Sequence, residues 1–254
     1  MQIRNGSLPT IFSCALALAI ACPAQEHHPE HNWDYSESRG PKHWGDLNPE
    51  FAPCKNGHSQ SPIDIRNPTK ADLPPIQFDY KSSALRIIDN GHTVMINYQP
   101  GSSISVGGHR YALKQFHFHR PSEETVDGKV YEMELYLVHA DQEGKLAVVS
   151  VLLMQGKDNP LVHELWNDLP KEKEKEEALE NVRIDATDLL PGDRSYYTLA
   201  GSLTTPPCSE SVTWFVLKNP VAISTAEIER FSKLYRHDAR PTQPLYGRVV
   251  LQSQ

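Results

Sequence analysis

The chain has 254 residues, 39% hydrophobic, 22% charged and 8% aromatic, with 25 Lys plus Arg against 32 Asp plus Glu for a formal charge of −7. That balance excludes a nucleic-acid binder working by counterion displacement, a disordered chain and a collagen-like repeat. The length suits one large domain or two small ones, and the 20 prolines and 14 glycines spread along the sequence favour a turn-rich, β-dominated architecture over a helical bundle, whose interior prolines would break helices.

In chain order, residues 1–24 carry one charge, Arg4, then an apolar run from Ile11 to Ala21, then Pro23, the pattern of a secretory signal peptide. The run is shorter than the roughly 18 to 20 residues a membrane-spanning helix needs, and no later stretch is longer, so no transmembrane segment is expected. Ala19 and Ala21 fit cleavage before Cys22, which makes a lipid-modified Cys22 an alternative to simple export. Residues 25–254 are then the folded domain, periplasmic or extracellular. Cys14 and Cys22 go with the signal, leaving Cys54 and Cys208. In an oxidising compartment these two have one intramolecular pairing, closing a loop of about 150 residues, with two buried thiols as the alternative.

Residues 25–60 read as irregular and polar, anchored by Trp33, Tyr35 and Trp44, with His27, His28 and His31 as a solvated terminus or a weak metal site. Alternating runs then predict strands at Ile76 to Tyr80, Ala84 to Ile88, Thr93 to Tyr98, Lys114 to His119, Tyr131 to His139 and Leu146 to Met154. Asn90-Gly91, Pro100-Gly101, Gly107-Gly108, Asp127-Gly128 and Glu143-Gly144 punctuate them, as expected of an antiparallel sheet. Leu161 to Leu169 and the Lys-Glu-rich Lys171 to Val182 read as exposed helices, the charge run being a solvated face. Val212 to Leu217 and Tyr246 to Leu251 are late strands, and Ala226 to Tyr235 is a helix with Ile228, Phe231 and Leu234 on its apolar side.

Chemistry concentrates in Gln115-Phe116-His117-Phe118-His119. Residues two apart on a strand share a face, so two imidazoles point into one space, a metal half-site or two hydrogen-bonded histidines. Around that pair the chain carries Ser61-Pro62-Ile63-Asp64-Ile65, Asn90-Gly91-His92, Ser122-Glu123, Met133-Glu134-Leu135 and Gly201-Ser202-Leu203-Thr204-Thr205-Pro206-Pro207-Cys208.

With these motifs in this order, the chain resembles the α-class carbonic anhydrases, specifically their exported bacterial members, from Trp33 to about Arg248. The resemblance implies a twisted, largely antiparallel ten-stranded central sheet with peripheral short helices, a Zn2+ ion at the base of a cavity, and reversible hydration of CO2 to bicarbonate and a proton. It places His117 and His119 as zinc ligands, Thr204 as acceptor from zinc hydroxide and Glu123 as acceptor from Thr204. His92 matches the proton shuttle, suited to a side chain titrating near neutral pH. Val138, Val148, Leu203 and Trp214 match the apolar CO2 wall, Thr205 and Gln115 the remaining pocket, and Cys54 and Cys208 the disulfide pair. The partner implied is the small-molecule substrate, with a homodimer as an open assembly state.

The chain departs from the family in one group of positions. Tyr136 stands where the family has its third zinc histidine, Glu124 where it has a histidine after Ser-Glu, and Leu199 where it commonly has tyrosine. Met95 replaces a cavity-wall amide. His139, an odd offset from Tyr136, faces the other side of the strand. The expectation is therefore that Tyr136 or Glu134 completes a tetrahedral site with His117 and His119. The competing expectation is a carbonic-anhydrase-like pseudoenzyme with a binding or structural role. An exported zinc carrier using His27, His28 and His31 is a third.

Overall fold

The structure, a computed structural model, describes residues 33–254. The signal segment, Cys14, Cys22, His27, His28 and His31 lie outside the described residues. Among the described residues fourteen strands run in chain order: β1 (Asp64–Ile65), β2 (Thr69–Lys70), β3 (Gln77–Asp79), β4 (Ser83–Asp89), β5 (Val94–Asn97), β6 (Ser103–Val106), β7 (His109–His119), β8 (Thr125–Val126), β9 (Met133–Ala140), β10 (Leu146–Gln155), β11 (Glu177–Ile184), β12 (Tyr196–Ser202), β13 (Glu210–Ile223) and β14 (Leu251–Gln252). Twelve of them form one sheet, whose ten-strand path is β11-β4-β5-β7-β9-β10-β13-β12-β14-β2, with β6 on β7 and β3 on β6. The helices are short: α1 (Trp44–Leu47), α2 (Pro53–Asn56), α3 (Pro160–Asn167) and α4 (Thr225–Ser232).

Alternation along the central strands divides the sheet into two apolar faces. Phe116 and Phe118 of β7, Leu135 and Leu137 of β9, and Val149 and Val151 of β10 enter the larger core, which Trp166 of α3 and Phe231 of α4 cover. The intervening residues, including Tyr136, Val148 and Leu152, face the opposite side with Trp214 and Val216 of β13. His139 is buried, and its Nε2 lies 2.8 Å from the Tyr80 hydroxyl. The side chains that the resemblance assigns to the site therefore occupy the second face.

Two sequence expectations need correction, while the sheet is largely antiparallel as the resemblance implies, with parallel pairing of β10 with β13 and of β14 with β2. The long connection from β10 to β13, through α3, β11 and β12, is what a parallel pairing requires. Lys171 to Val182 is not a helix: residues from Glu177 onward form β11, an edge strand on β4 with a register shift between Leu179 and Arg183. Its Lys and Glu side chains suit a solvated sheet edge, and tertiary pairing overrides their helical preference. Tyr246 to Leu251 is mostly a turn, with φ of 47° at Tyr246 and 81° at Gly247, and only Leu251–Gln252 is strand.

Candidate metal and CO2 site

Strand β7 delivers the two imidazoles, whose ring centroids are 5.1 Å apart. His117 Nδ1 donates to Gln115 Oε1 at 2.8 Å, and His119 Nδ1 to the Asp238 main-chain carbonyl at 2.7 Å. With the hydrogen held on Nδ1, each ring keeps its Nε2 lone pair free, the tautomer a metal takes. His119 is 1% exposed, and its Nε2 is buried with no hydrogen-bond partner. Burial, then the neighbouring His119, holds the His117 imidazole well below its ordinary pKa. Burial also opposes a proton on His119, but the Glu123 and Asp238 carboxylates outweigh it and raise that pKa.

Glu123 lies beside the pair, with Oε2 3.6 Å from His119 Nε2. Its Oε1 accepts from the Arg240 amide at 2.7 Å. Arg240 is itself buried, donating to the carbonyls of Ser61 and Cys54 and to Gln60 Oε1, and burial lowers its pKa to about 10. Glu123 Oε2 is buried without a hydrogen-bond partner, so the acceptor that the resemblance assigns to Thr204 has no donor here.

At the third position, Tyr136 sits opposite His117 in the β7–β9 register. Its hydroxyl donates to Glu124 Oε2 and lies 3.4 Å from Glu134 Oε2. Burial first, then the Glu123, Glu124 and Glu134 carboxylates, pushes the phenol well above its ordinary pKa. Glu134 accepts from the Glu123 and Glu124 amides at 2.8 and 2.9 Å and from the Ser150 hydroxyl. Burial raises the pKa of Glu134, and burial together with Glu134 raises that of Glu124. Among the described residues, no group of three His, Cys, Asp or Glu side chains is arranged to hold a metal. His117 and His119 supply two of the nitrogen donors that a tetrahedral zinc takes. At the third position the Tyr136 hydroxyl hydrogen goes to Glu124, and the Glu134 oxygens accept from Ser150 and from two main-chain amides.

The four residues that the resemblance assigns to an apolar wall lie together. Val148 pairs with Val138 on one side and Trp214 on the other, and Leu203 packs against the same cluster. Thr204 is buried and Thr205 half-buried in the loop after β12, which the Cys54–Cys208 disulfide ties to α2. His92 is half-buried, its amide held by Asn90 Oδ1 at 3.0 Å, and its ring stacks on Trp33 at 3.7 Å. The adjacent Thr93 hydroxyl donates to the Phe118 carbonyl, between the two site histidines.

Sequence reasoning missed four contributors: Ser150, Asp238, Arg240 and the support role of Gln115. Ser150 had a signal, as the one hydroxyl inside the apolar run Leu146 to Met154. Asp238 and Arg240 lie in a coil without periodicity and had none.

A profile of the eukaryotic-type carbonic anhydrases matches residues 39–254. A carbonic anhydrase of Nostoc sp. is 43% identical over 227 residues, 87% of this chain and 86% of that protein. The structure of a hyperthermostable carbonic anhydrase from a hydrothermal vent chimney superposes with a TM-score of 0.85 at 46% identity, covering 87% of this chain and 100% of that one. Dioscorin, solved in complex with ascorbate, superposes with a TM-score of 0.81 at 30% identity, covering 87% and 97%. With the fold, the histidine pair and these likenesses together, the chain belongs to the eukaryotic-type carbonic anhydrase family.

Proposed function

We propose that this protein hydrates CO2 reversibly to bicarbonate and a proton, with zinc held by His117 and His119. The observation that carries this reading is the pair of Nδ1-anchored imidazoles, one with a buried, unpartnered Nε2. Zinc bound there would supply the Lewis acidity that makes water nucleophilic near neutral pH. The chain's own residues supply the rest. Val138, Val148, Leu203 and Trp214 receive an uncharged substrate, with Thr205 and Gln115 lining its approach. The Thr204 hydroxyl would donate to Glu123 Oε2, which has no hydrogen-bond partner here, and so present its oxygen lone pairs to the attacking water. His92 carries the proton towards solvent.

The test is the CO2 hydration rate of residues 25–254 across pH 6 to 9, with added zinc, after chelation, and in His117→Ala. A zinc-dependent rate lost in His117→Ala supports the proposal. A folded domain with no rate at any pH overturns it and supports the second reading, a non-catalytic binding protein on this fold, which the Tyr136–Glu124 hydrogen bond favours.

We also infer export, with residues 1–24 as signal peptide and the periplasm or exterior as destination. The disulfide supports this, and no helix among the described residues is long and apolar enough to cross a membrane. The mass of the mature N-terminus distinguishes a chain beginning at Gln25 from one lipid-modified at Cys22. Sedimentation of that mature chain tests the homodimer.

A further inference from the structure

The orphaned polar atoms of the site are not evenly distributed. His119 Nε2 and Glu123 Oε2, 3.6 Å apart, are buried without a hydrogen-bond partner, as are Asp238 Oδ2 and Arg240 Nε of the residues that hold them, whereas no side-chain polar atom of Glu124, Glu134, Tyr136 or Ser150 is left so. Those four residues form one closed network, with Tyr136 donating to Glu124, Ser150 donating to Glu134, and the amides of Glu123 and Glu124 donating to Glu134. All four are 2% exposed or less. A metal position merely deprived of its ligand would leave such buried groups unsatisfied, which is costly. This one is complete without a metal, and only the histidine face is incomplete.

The geometry points to Tyr136 as a hydrogen-bonding plug rather than a ligand: metal binding rests on His117 and His119 alone, and the remaining coordination positions belong to exchangeable small ligands. Ser150 is part of the same arrangement, since its hydroxyl satisfies the Glu134 oxygen that faces β10. This inference rests on reading His117 and His119 as the metal-holding pair, and the experiment separates the two ideas.

Zinc affinity is measured by competition with a chromophoric chelator on the full mature chain and on Tyr136→Phe and His117→Ala. Tyr136→Phe is expected to stay within about threefold of the unsubstituted protein, and His117→Ala to lose at least about tenfold, the scale on which even supporting residues act. A tenfold loss in Tyr136→Phe overturns the inference. An unchanged affinity in His117→Ala overturns the histidine reading instead. The ultraviolet tyrosinate band of the unsubstituted protein gives a second readout, independent of how well any variant folds. Zinc loading should leave that band absent, and its appearance on loading shows Tyr136 ligating as phenolate and also overturns the inference.

Discussion

Tyr136 donates its hydroxyl hydrogen to the carboxyl group of Glu124, with both side chains buried on the face of the sheet that carries the histidine pair. Removing that donor leaves a buried carboxyl without a partner, which costs about 1 to 3 kcal/mol. Tyr136→Phe and, through Glu134, Ser150→Ala should each lower the stability of the folded domain by about that amount. Urea unfolding with an unchanged m-value checks both.

The Cys54–Cys208 disulfide joins positions 154 residues apart and secures the loop that holds Thr204 and Thr205. Replacing both cysteines with serine should cost about 2 to 4 kcal/mol in the chain-entropy account. The same variant should show a raised KM for CO2, since loosening the loop misplaces the substrate side of the pocket. Thermal unfolding and initial rates at varied CO2 check the two effects separately.

His139 is buried behind the sheet, and burial lowers its pKa to about 3, against about 6.5 in an unfolded chain. Between those values the unfolded state binds the proton and the folded state does not, so stability is complete above pH 6.5 and falls as the pH drops towards 3. The slope from this group is at most about 1.4 kcal/mol per pH unit. His139→Gln should flatten the stability profile in that window. Denaturation midpoints at pH 4, 5, 6 and 7 measure it.

Val148 pairs with both Val138 and Trp214 in the apolar wall. Val148→Phe should fill the space where CO2 would rest, lowering kcat/KM by about tenfold or more if the lost binding approaches 1.4 kcal/mol, with zinc affinity unchanged. A parallel loss of zinc affinity would contradict the placement of this wall beside, rather than within, the metal site.

The period of two along Gln115 to His119 and Glu134 to Val138 was legible as sequence, and it put His117, His119 and Tyr136 on one face and His139 on the other, as the structure has them. The Lys-Glu run was misread because helical preference is local, while the pairing of β11 with β4 joins segments about 90 residues apart. The parallel union of β10 with β13 was hidden for the same reason.

Sequence alone thus determined which side chains share a face, because alternation is a property of each strand by itself, and its ordered motifs carried the family. Only the tertiary structure decided what each polar atom meets. The Asp238 carbonyl reaches His119 across 119 residues of chain, and the Arg240 amide reaches Glu123 across 117. The hydroxyl of Tyr136 could be assigned to the right face from its position, but its choice of Glu124 over the histidines depends on how the segment after β7 folds back over β9. No local periodicity encodes that closure.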